Sequence, residues 1–163
     1  MALADIENDG DLDIYVCNYN APNQLFLNET PSGSNDVKFE ERAKEFGLDL
    51  VGASLMPSFA DVDNDGDLDL YLLRNAFIRE NGHPRDGVIE VDGEMVMKEE
   101  YRKFYAVRFA GVKDGFKRHE IYPVGQTDKL FRNDSAEGKQ IFVDVSRISG
   151  DIGKHPGKGL SAT

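Results

Sequence analysis

A nine-residue acidic segment occurs twice in this chain, and no other feature constrains the fold as much. Residues 5–13 read DIENDGDLD and residues 61–69 read DVDNDGDLD, 56 residues further on. Each copy holds five carboxylates and no base. Five acids in nine residues repel one another in any compact conformation, so such a segment either holds a cation or stays in water. Gly10 and Gly66 stand at the sixth position of the two copies, where a tight loop needs a backbone conformation that other residues resist. Each copy runs into a short apolar stretch of strand length, Leu12–Val16 and Leu68–Leu73.

The acidity is local. The chain of 163 residues carries a net charge of −11, from 30 acids and 19 bases, but outside the two segments 20 acids face 19 bases. Nucleic acid is thereby excluded as a partner, because its binding rests on Lys and Arg contacts to phosphate. Docking on anionic lipid is excluded on the same ground. Hydrophobic residues make up 40%, including 10 Phe and 6 Tyr, enough for a core. No run reaches the roughly 20 apolar residues of a membrane span, so no membrane insertion is expected. The first residues lack the basic start and apolar run of a signal peptide. One cysteine, Cys17, leaves no internal disulfide and no cysteine-only zinc site. His83, His119 and His155 lie far apart and make no metal or catalytic spacing.

Further pairs follow the acidic one. NQLFLN at 23–28 matches DKLFRN at 128–133, and FEERAKEFG at 39–47 matches FVDVSRISG at 142–150 more loosely. Strands are expected at Leu12–Val16 and Leu68–Leu73, at Gln24–Leu27 and Lys129–Phe131, and at Phe39–Arg42 and Ile141–Val145. The residues before each loop, Ser54–Ala60 and Leu160 onward, are expected to supply the fourth. Four short strands per unit make a propeller blade. The expected fold is therefore all-β: a partial β-propeller of about two four-stranded blades, with Asp-rich loops and an inserted β-hairpin subregion. The whole chain, 1–163, is read as this one partial propeller, with repeat 1 at about 1–57 and repeat 2 at about 58–163.

The second repeat is longer by an insertion of about 75–127, which should leave the blade between its second and third strands. Two hairpins are expected in it, one across Asp92-Gly93 within 88–97 and one across Asp114-Gly115 within 107–122. One or two helical turns are expected between them, at Lys98–Tyr105. The spacing from Asn28 to Asp61, carried forward from Asn133, puts a third acidic loop just past Thr163, with GLSAT as its lead-in. The chain thus reads as two repeats of a longer array. Alone it is expected to expose apolar surface and strand edges, to depend on calcium and to self-associate.

The acidic segments have the chemistry of calcium loops. Calcium takes about six to eight oxygen ligands, and a loop with acids at alternate positions can aim them at one point. The candidate ligands are Asp5, Glu7, Asp9, Asp11 and Asp13 in the first loop, and Asp61, Asp63, Asp65, Asp67 and Asp69 in the second. Positions 1, 3, 5 and 9 offer carboxylates and position 7 a backbone carbonyl. Two Ca2+ sites are expected. An EF-hand is excluded: its loop needs Glu at position 12, and that position is Val16 or Leu72 here. Cysteine-paired thrombospondin-type repeats do not fit a chain with one Cys.

On these motifs the units resemble FG-GAP/VCBS repeats, the blades of integrin-α-like β-propellers. NQLFLN, FEERAKEFGL and GLSAT are most similar to bacterial relatives of the cartilage acidic protein, or ASPIC/UnbV, family. The resemblance implies calcium bound within blades, a role in cell adhesion, and an extracellular, periplasmic or cell-surface setting. It places the family's ligands on the ten acids just named. Glu7 departs from the pattern, standing where Asp is usual, and no ASPIC/UnbV segment is present.

Four features have plainer readings. Asn28-Glu-Thr30 and Asn133-Asp-Ser135 match glycosylation acceptors, but their equivalent repeat positions point to turn-forming asparagines. Cys17, after a strand, reads as a small buried residue. His119 reads as part of a solvated hairpin face. Tyr101, Phe104, Tyr105, Phe109 and Phe116 read as the insertion's own small core.

The favoured function is a non-enzymatic, calcium-binding segment of an extracellular adhesion or recognition protein. Its partners would be the remaining blades and a protein or glycan ligand. The alternative is the scaffold of a secreted polysaccharide-acting enzyme, or a lectin-like glycan-binding module. That reading would need the insertion's carboxylates, Glu90, Glu94, Glu99, Glu100 and Glu120, to meet His119 in one cleft.

Overall fold

The strands follow the two-residue period of their apolar side chains. In chain order they are β1 (Ala2–Ala4), β2 (Asp13–Val16), β3 (Tyr19–Pro22), β4 (Gln24–Asn28), β5 (Phe39–Glu41), β6 (Val51–Ala60), β7 (Asp69–Arg74), β8 (Val88–Val91), β9 (Glu94–Met97), β10 (Tyr105–Lys113), β11 (Phe116–Pro123), β12 (Lys129–Asn133) and β13 (Phe142–Asp144). One helical turn, α1 (Ala43–Phe46), and one 3₁₀ turn, Glu99–Tyr101, complete the set. The computed structural model describes residues 1–135 and 141–147. The chain divides into two compact units: Met1–Asn75 with the chain from Gln126 onward, and Ala76–Gly125.

The first unit is built from two antiparallel sheets. One has the order β1-β2-β4-β5, the other β13-β12-β7-β6-β3. The fold is all-β, and these two sheets are the partial propeller's blades. Each acidic loop joins the first strand of a blade to its second, β1 to β2 and β6 to β7.

Three details differ from the sequence reading. Ser54–Ala60 lies within the ten-residue β6, which opens the second blade, while the first blade takes its own first strand from β1. The expected strand from Leu160 onward lies outside the described residues. β3, from the first repeat, crosses to the edge of the second blade and pairs with β6. Its sequence YNAP lacks alternation and contains Pro22, which a sheet tolerates only at an edge. The strand expected at Phe39–Arg42 is β5, and α1 follows it where no element was expected. Gly47 ends that turn at φ 74°, in the left-handed region that glycine enters without strain.

The core lies between the two blades. Ala4, Ile6, Tyr15, Leu25 and Leu27 of the first blade meet Leu70, Leu72, Phe131 and Phe142 of the second, with Ala43, Phe46 and Leu48 from the α1 segment. Each large side chain contributes about 1.5–3 kcal/mol on burial. Tyr15 packs edge-on to Phe59 with ring centroids 6.0 Å apart.

One asparagine ties the blades together. Asn23 is 1% exposed. Its Nδ2 donates to the Tyr15 hydroxyl and to Ser54 Oγ, both at 3.0 Å. Its Oδ1 accepts the Asn18 amide at 2.8 Å, and its own amide donates to the Leu50 carbonyl at 3.0 Å. The Tyr15 hydroxyl in turn donates to the Leu48 carbonyl at 2.9 Å.

The second unit leaves and rejoins the chain between β7 and β12, the second and third strands of a blade. It consists of the hairpins β8–β9 and β10–β11, with the 3₁₀ turn between them. Asp92-Gly93 and Asp114-Gly115 make the hairpin turns, all four residues at positive φ. The aromatic core expected here is only part of the picture. Tyr105 is buried, but Phe109 and Phe116 are 58% and 76% exposed. They sit on the distal half of β10–β11, where both faces of the two-stranded ribbon meet solvent. Its surface ion pair, Arg108 with Glu120, contributes little because both partners are well exposed.

Two outcomes follow. Asn23→Ala strands the Asn18 amide and removes the donor to the Ser54 and Tyr15 hydroxyls, and urea unfolding is expected to show a loss of about 2–4 kcal/mol. Cys17 is half-buried against the core, and burial pushes its thiol up to about 11. At pH 8 only roughly one molecule in a thousand is then thiolate, so iodoacetamide should modify the folded chain about 100-fold more slowly than the urea-unfolded one.

Candidate metal centre

The two acidic loops wrap their own backbones around the position-1 aspartate. Asp61 Oδ1 accepts the amides of Asn64 at 2.7 Å and Asp65 at 3.2 Å, and its Oδ2 accepts that of Gly66 at 3.1 Å. Asp65 Oδ1 accepts the Asp67 amide at 3.0 Å. The first loop repeats this: Asp5 accepts the amides of Asp9 and Gly10, and Asp9 that of Asp11, each at 3.0 Å. The turn is made at position 4, Asn8 and Asn64 with φ 56° and 64°, and at position 6, Gly10 and Gly66 with φ 94° and 99°. A Cβ at either glycine would meet nothing within 4 Å, so conformation and not space demands glycine there.

Position 9 is placed differently. Asp13 and Asp69 are 2% and 1% exposed. Asp69 accepts the Val62 amide at 2.9 Å and the Asn133 amide at 2.8 Å, one on each oxygen. Asp13 accepts those of Ile6 and Asn28, both at 2.9 Å. Each carboxylate thus clips its loop to the far end of the blade's third strand. Burial raises the Asp13 carboxyl above its usual range, against the pull of its two amide donors.

Of the remaining acids, Asp9, Asp11, Asp61, Asp63 and Asp65 are exposed and Asp5, Glu7 and Asp67 are half-buried. In the second loop Asp61, Asp63 and Asp65 each bring one carboxylate oxygen within 4.8 Å of the others, all exposed. Desolvation first, then repulsion from Asp65 and Asp69, raises the Asp63 carboxyl. This all-oxygen donor set suits a hard cation such as calcium or magnesium better than zinc or copper. Each oxygen that accepts an amide keeps a second lone pair for an ion. Among the described residues the first loop forms no such group. Glu7 stands where the second loop has Asp63, and its longer side chain lies in the field of Glu29 and Arg42. Burial is the main cause that raises its carboxyl, followed by Asp13 and Asp9. Asp67 accepts a hydrogen bond from Asn8 Nδ2 at 2.6 Å, so the two loops are joined directly.

Residues 5–72 match the FG-GAP-like repeat. The chain is also 32% identical over 82 residues to Cartilage acidic protein 1 of Xenopus tropicalis, a match that takes in 47% of this chain and 13% of that protein. The chain thus spans about an eighth of that relative's length. An FG-GAP-like repeat and a relative of this name fit a non-enzymatic segment.

The other singled-out residues have clear places. Asn28 Oδ1 accepts the Thr30 amide and Asn133 Oδ1 the Ser135 amide, both at 3.2 Å, the turn geometry of a short polar side chain. Asn133 is 2% exposed, and its Nδ2 donates to the Leu68 carbonyl, which leaves no room for a glycan. In the second unit, Glu90, Glu94 and His119 line one open cleft of about 730 Å³ together with Arg108, Phe109 and Lys117. Glu120 is paired with Arg108 and Glu99 with Arg102. The position-9 clip and the Asn8–Asp67 link were not read from the sequence, although the recurrence of LFLN and LFRN, ending 15 and 64 residues after position 9, was a signal for the clip.

The two kinds of acid separate in a melt. In EDTA, Asp69→Ala strands two amides and should cost about 2–4 kcal/mol, whereas Asp63→Ala removes only an exposed, repelled carboxylate and should leave the midpoint within about 0.5 kcal/mol or raise it.

Proposed function

We propose that this chain is a calcium-stabilised propeller segment of an extracellular adhesion or recognition protein, in which calcium acts structurally and not in catalysis. The observation that carries this reading is the group Asp61, Asp63 and Asp65, exposed on a loop whose backbone is already wrapped to receive an ion. Without a cation these carboxylates repel each other at the hinge between β6 and β7. With one, repulsion becomes attraction, and the loop holds the two strands in register. Extracellular modules work with affinities of roughly 10⁻⁴–10⁻³ M, because calcium is abundant there. Among the described residues no helix is long and apolar enough to cross a membrane. The first loop would bind a second, weaker ion through Asp5, Glu7, Asp9 and the Asp11 carbonyl.

A second reading rests on the cleft in the inserted unit. Glu90, Glu94 and His119 with the exposed Phe109 ring make a surface on which a sugar can stack and hydrogen-bond. A lectin-like role would show as glycan-array binding that needs His119 and Phe109 and survives loss of the calcium loops.

Calorimetry with calcium chloride tests the main reading. Wild-type protein should give a calcium-dependent heat and a higher melting temperature. Asp65→Ala should abolish the stronger event. Absence of both heat and stabilisation in the wild type would remove calcium from the account.

A further inference from the structure

The second acidic loop is held from outside as well as from within. Asn8, at position 4 of the first loop, donates from Nδ2 to Asp67 Oδ1 at 2.6 Å, and the same nitrogen lies 3.5 Å from the Gly66 carbonyl oxygen. A carboxylate acceptor makes the first of these a charge-assisted bond, the stronger kind. Asp67 is position 7, the residue that offers an ion its backbone carbonyl and not its carboxylate. Its amide is already fixed on Asp65 Oδ1 at 3.0 Å. With its side chain gripped by Asn8 as well, position 7 is restrained at both ends. Asn8 can reach because of its own loop: it has φ 56°, and Asp5 accepts the amides of the next two residues, Asp9 and Gly10, each at 3.0 Å. Asn64, at the same position of the second loop, has φ 64°, and its exposed side chain makes no such contact among the described residues.

We propose that Asn8 is a positioning residue for the calcium ion of the second loop, so that this site is completed across two blades. The inference rests on the reading that Asp61, Asp63 and Asp65 hold calcium, and deepens it. Asn8 acts through Asp67 and not as a ligand. By restricting position 7 before the ion arrives, it lowers the conformational entropy that the loop loses on binding. It also gives the Asp67 carboxylate a partner outside the group that the other three carboxylates form. The first loop therefore serves the second whether or not it holds an ion of its own. By linkage the effect runs both ways, and calcium in the second loop strengthens the contact between the loops.

Calorimetric titration with calcium chloride decides it, read on the stronger event that Asp65→Ala removes. Asn8→Gly keeps the positive φ and removes the donor. It should weaken that event about 5–10-fold, although no residue of the second loop has changed. Asn64→Gly makes the same change inside the second loop and should stay within about threefold of wild type. Asp67→Asn loses the charge but keeps an acceptor for Asn8, and Asp67→Ala loses both. The first should stay within about threefold of wild type, and the second should match Asn8→Gly. In the double variant Asn8→Gly/Asp67→Ala the losses should not add, because either change removes the same contact. Where Asn8→Gly melts early in EDTA, the Asp67→Asn and Asp67→Ala pair carries the test alone. Unchanged affinity in Asn8→Gly, an equal loss in Asn64→Gly, equal affinities in the two Asp67 variants, or additive losses would each overturn the proposal and leave calcium binding standing. A wild type without calcium heat overturns it together with the reading on which it rests.

Discussion

A buried carboxylate bridging two backbone amides is the interaction on which the rest of each blade depends. Asp13 and Asp69 each reach back to position 2 of their own loop and across to the end of β4 or β12. Charged acceptors make the stronger hydrogen bonds, and buried amides without partners are costly, so the clip fixes three things together. It closes the loop, it sets where the third strand ends, and it starts the second strand with its apolar side chains facing the core. The outward acids bond only amides of their own loop and keep lone pairs for a cation.

The blades are held against each other by two layers of different character. The apolar layer, centred on Tyr15, Phe59, Leu70 and Leu72, supplies most of the free energy. The polar layer supplies registration. Asn23 joins Tyr15 of the first blade to Ser54 of the second, and Asn8 joins one acidic loop to the other. A purely apolar contact tolerates sliding, whereas these buried and charge-assisted bonds are satisfied in one register only. The strand β3 adds to this, since it leaves the first repeat and completes the sheet of the second.

The inserted unit obeys other rules. Two hairpins with positive-φ turns bury Met97 and Tyr105, but the distal half of β10–β11 has water on both faces. Exposed aromatics on such a ribbon do not stabilise it and are free for other contacts. At the point of insertion the Gln126 amide donates to the Asn75 carbonyl and keeps the two ends together.

The sequence by itself determined the repeat, the loops and the alternation of the strands that follow them. Spacing and residue type are local properties, and a two-residue period or a DxDxDG run means the same thing wherever it stands. It also determined the hairpins of the insertion, because Asp-Gly turns need only their own backbone. Tertiary structure decided what those local rules leave open. It turned Asp13 and Asp69 inward and left Asp61, Asp63 and Asp65 outward, although all five are acids in nearly the same motif. It separated the second loop, whose three carboxylates converge, from the first, where Glu7 is half-buried and no such group forms among the described residues. It sent Tyr19–Pro22 to the neighbouring sheet and left Phe109 and Phe116 in water. For the clip and the crossing strand the deciding partner is distant in the chain, Asn133 for Asp69 and Val51 for Pro22. Burial is a property of what packs on a residue, and the chain writes that only once it has folded.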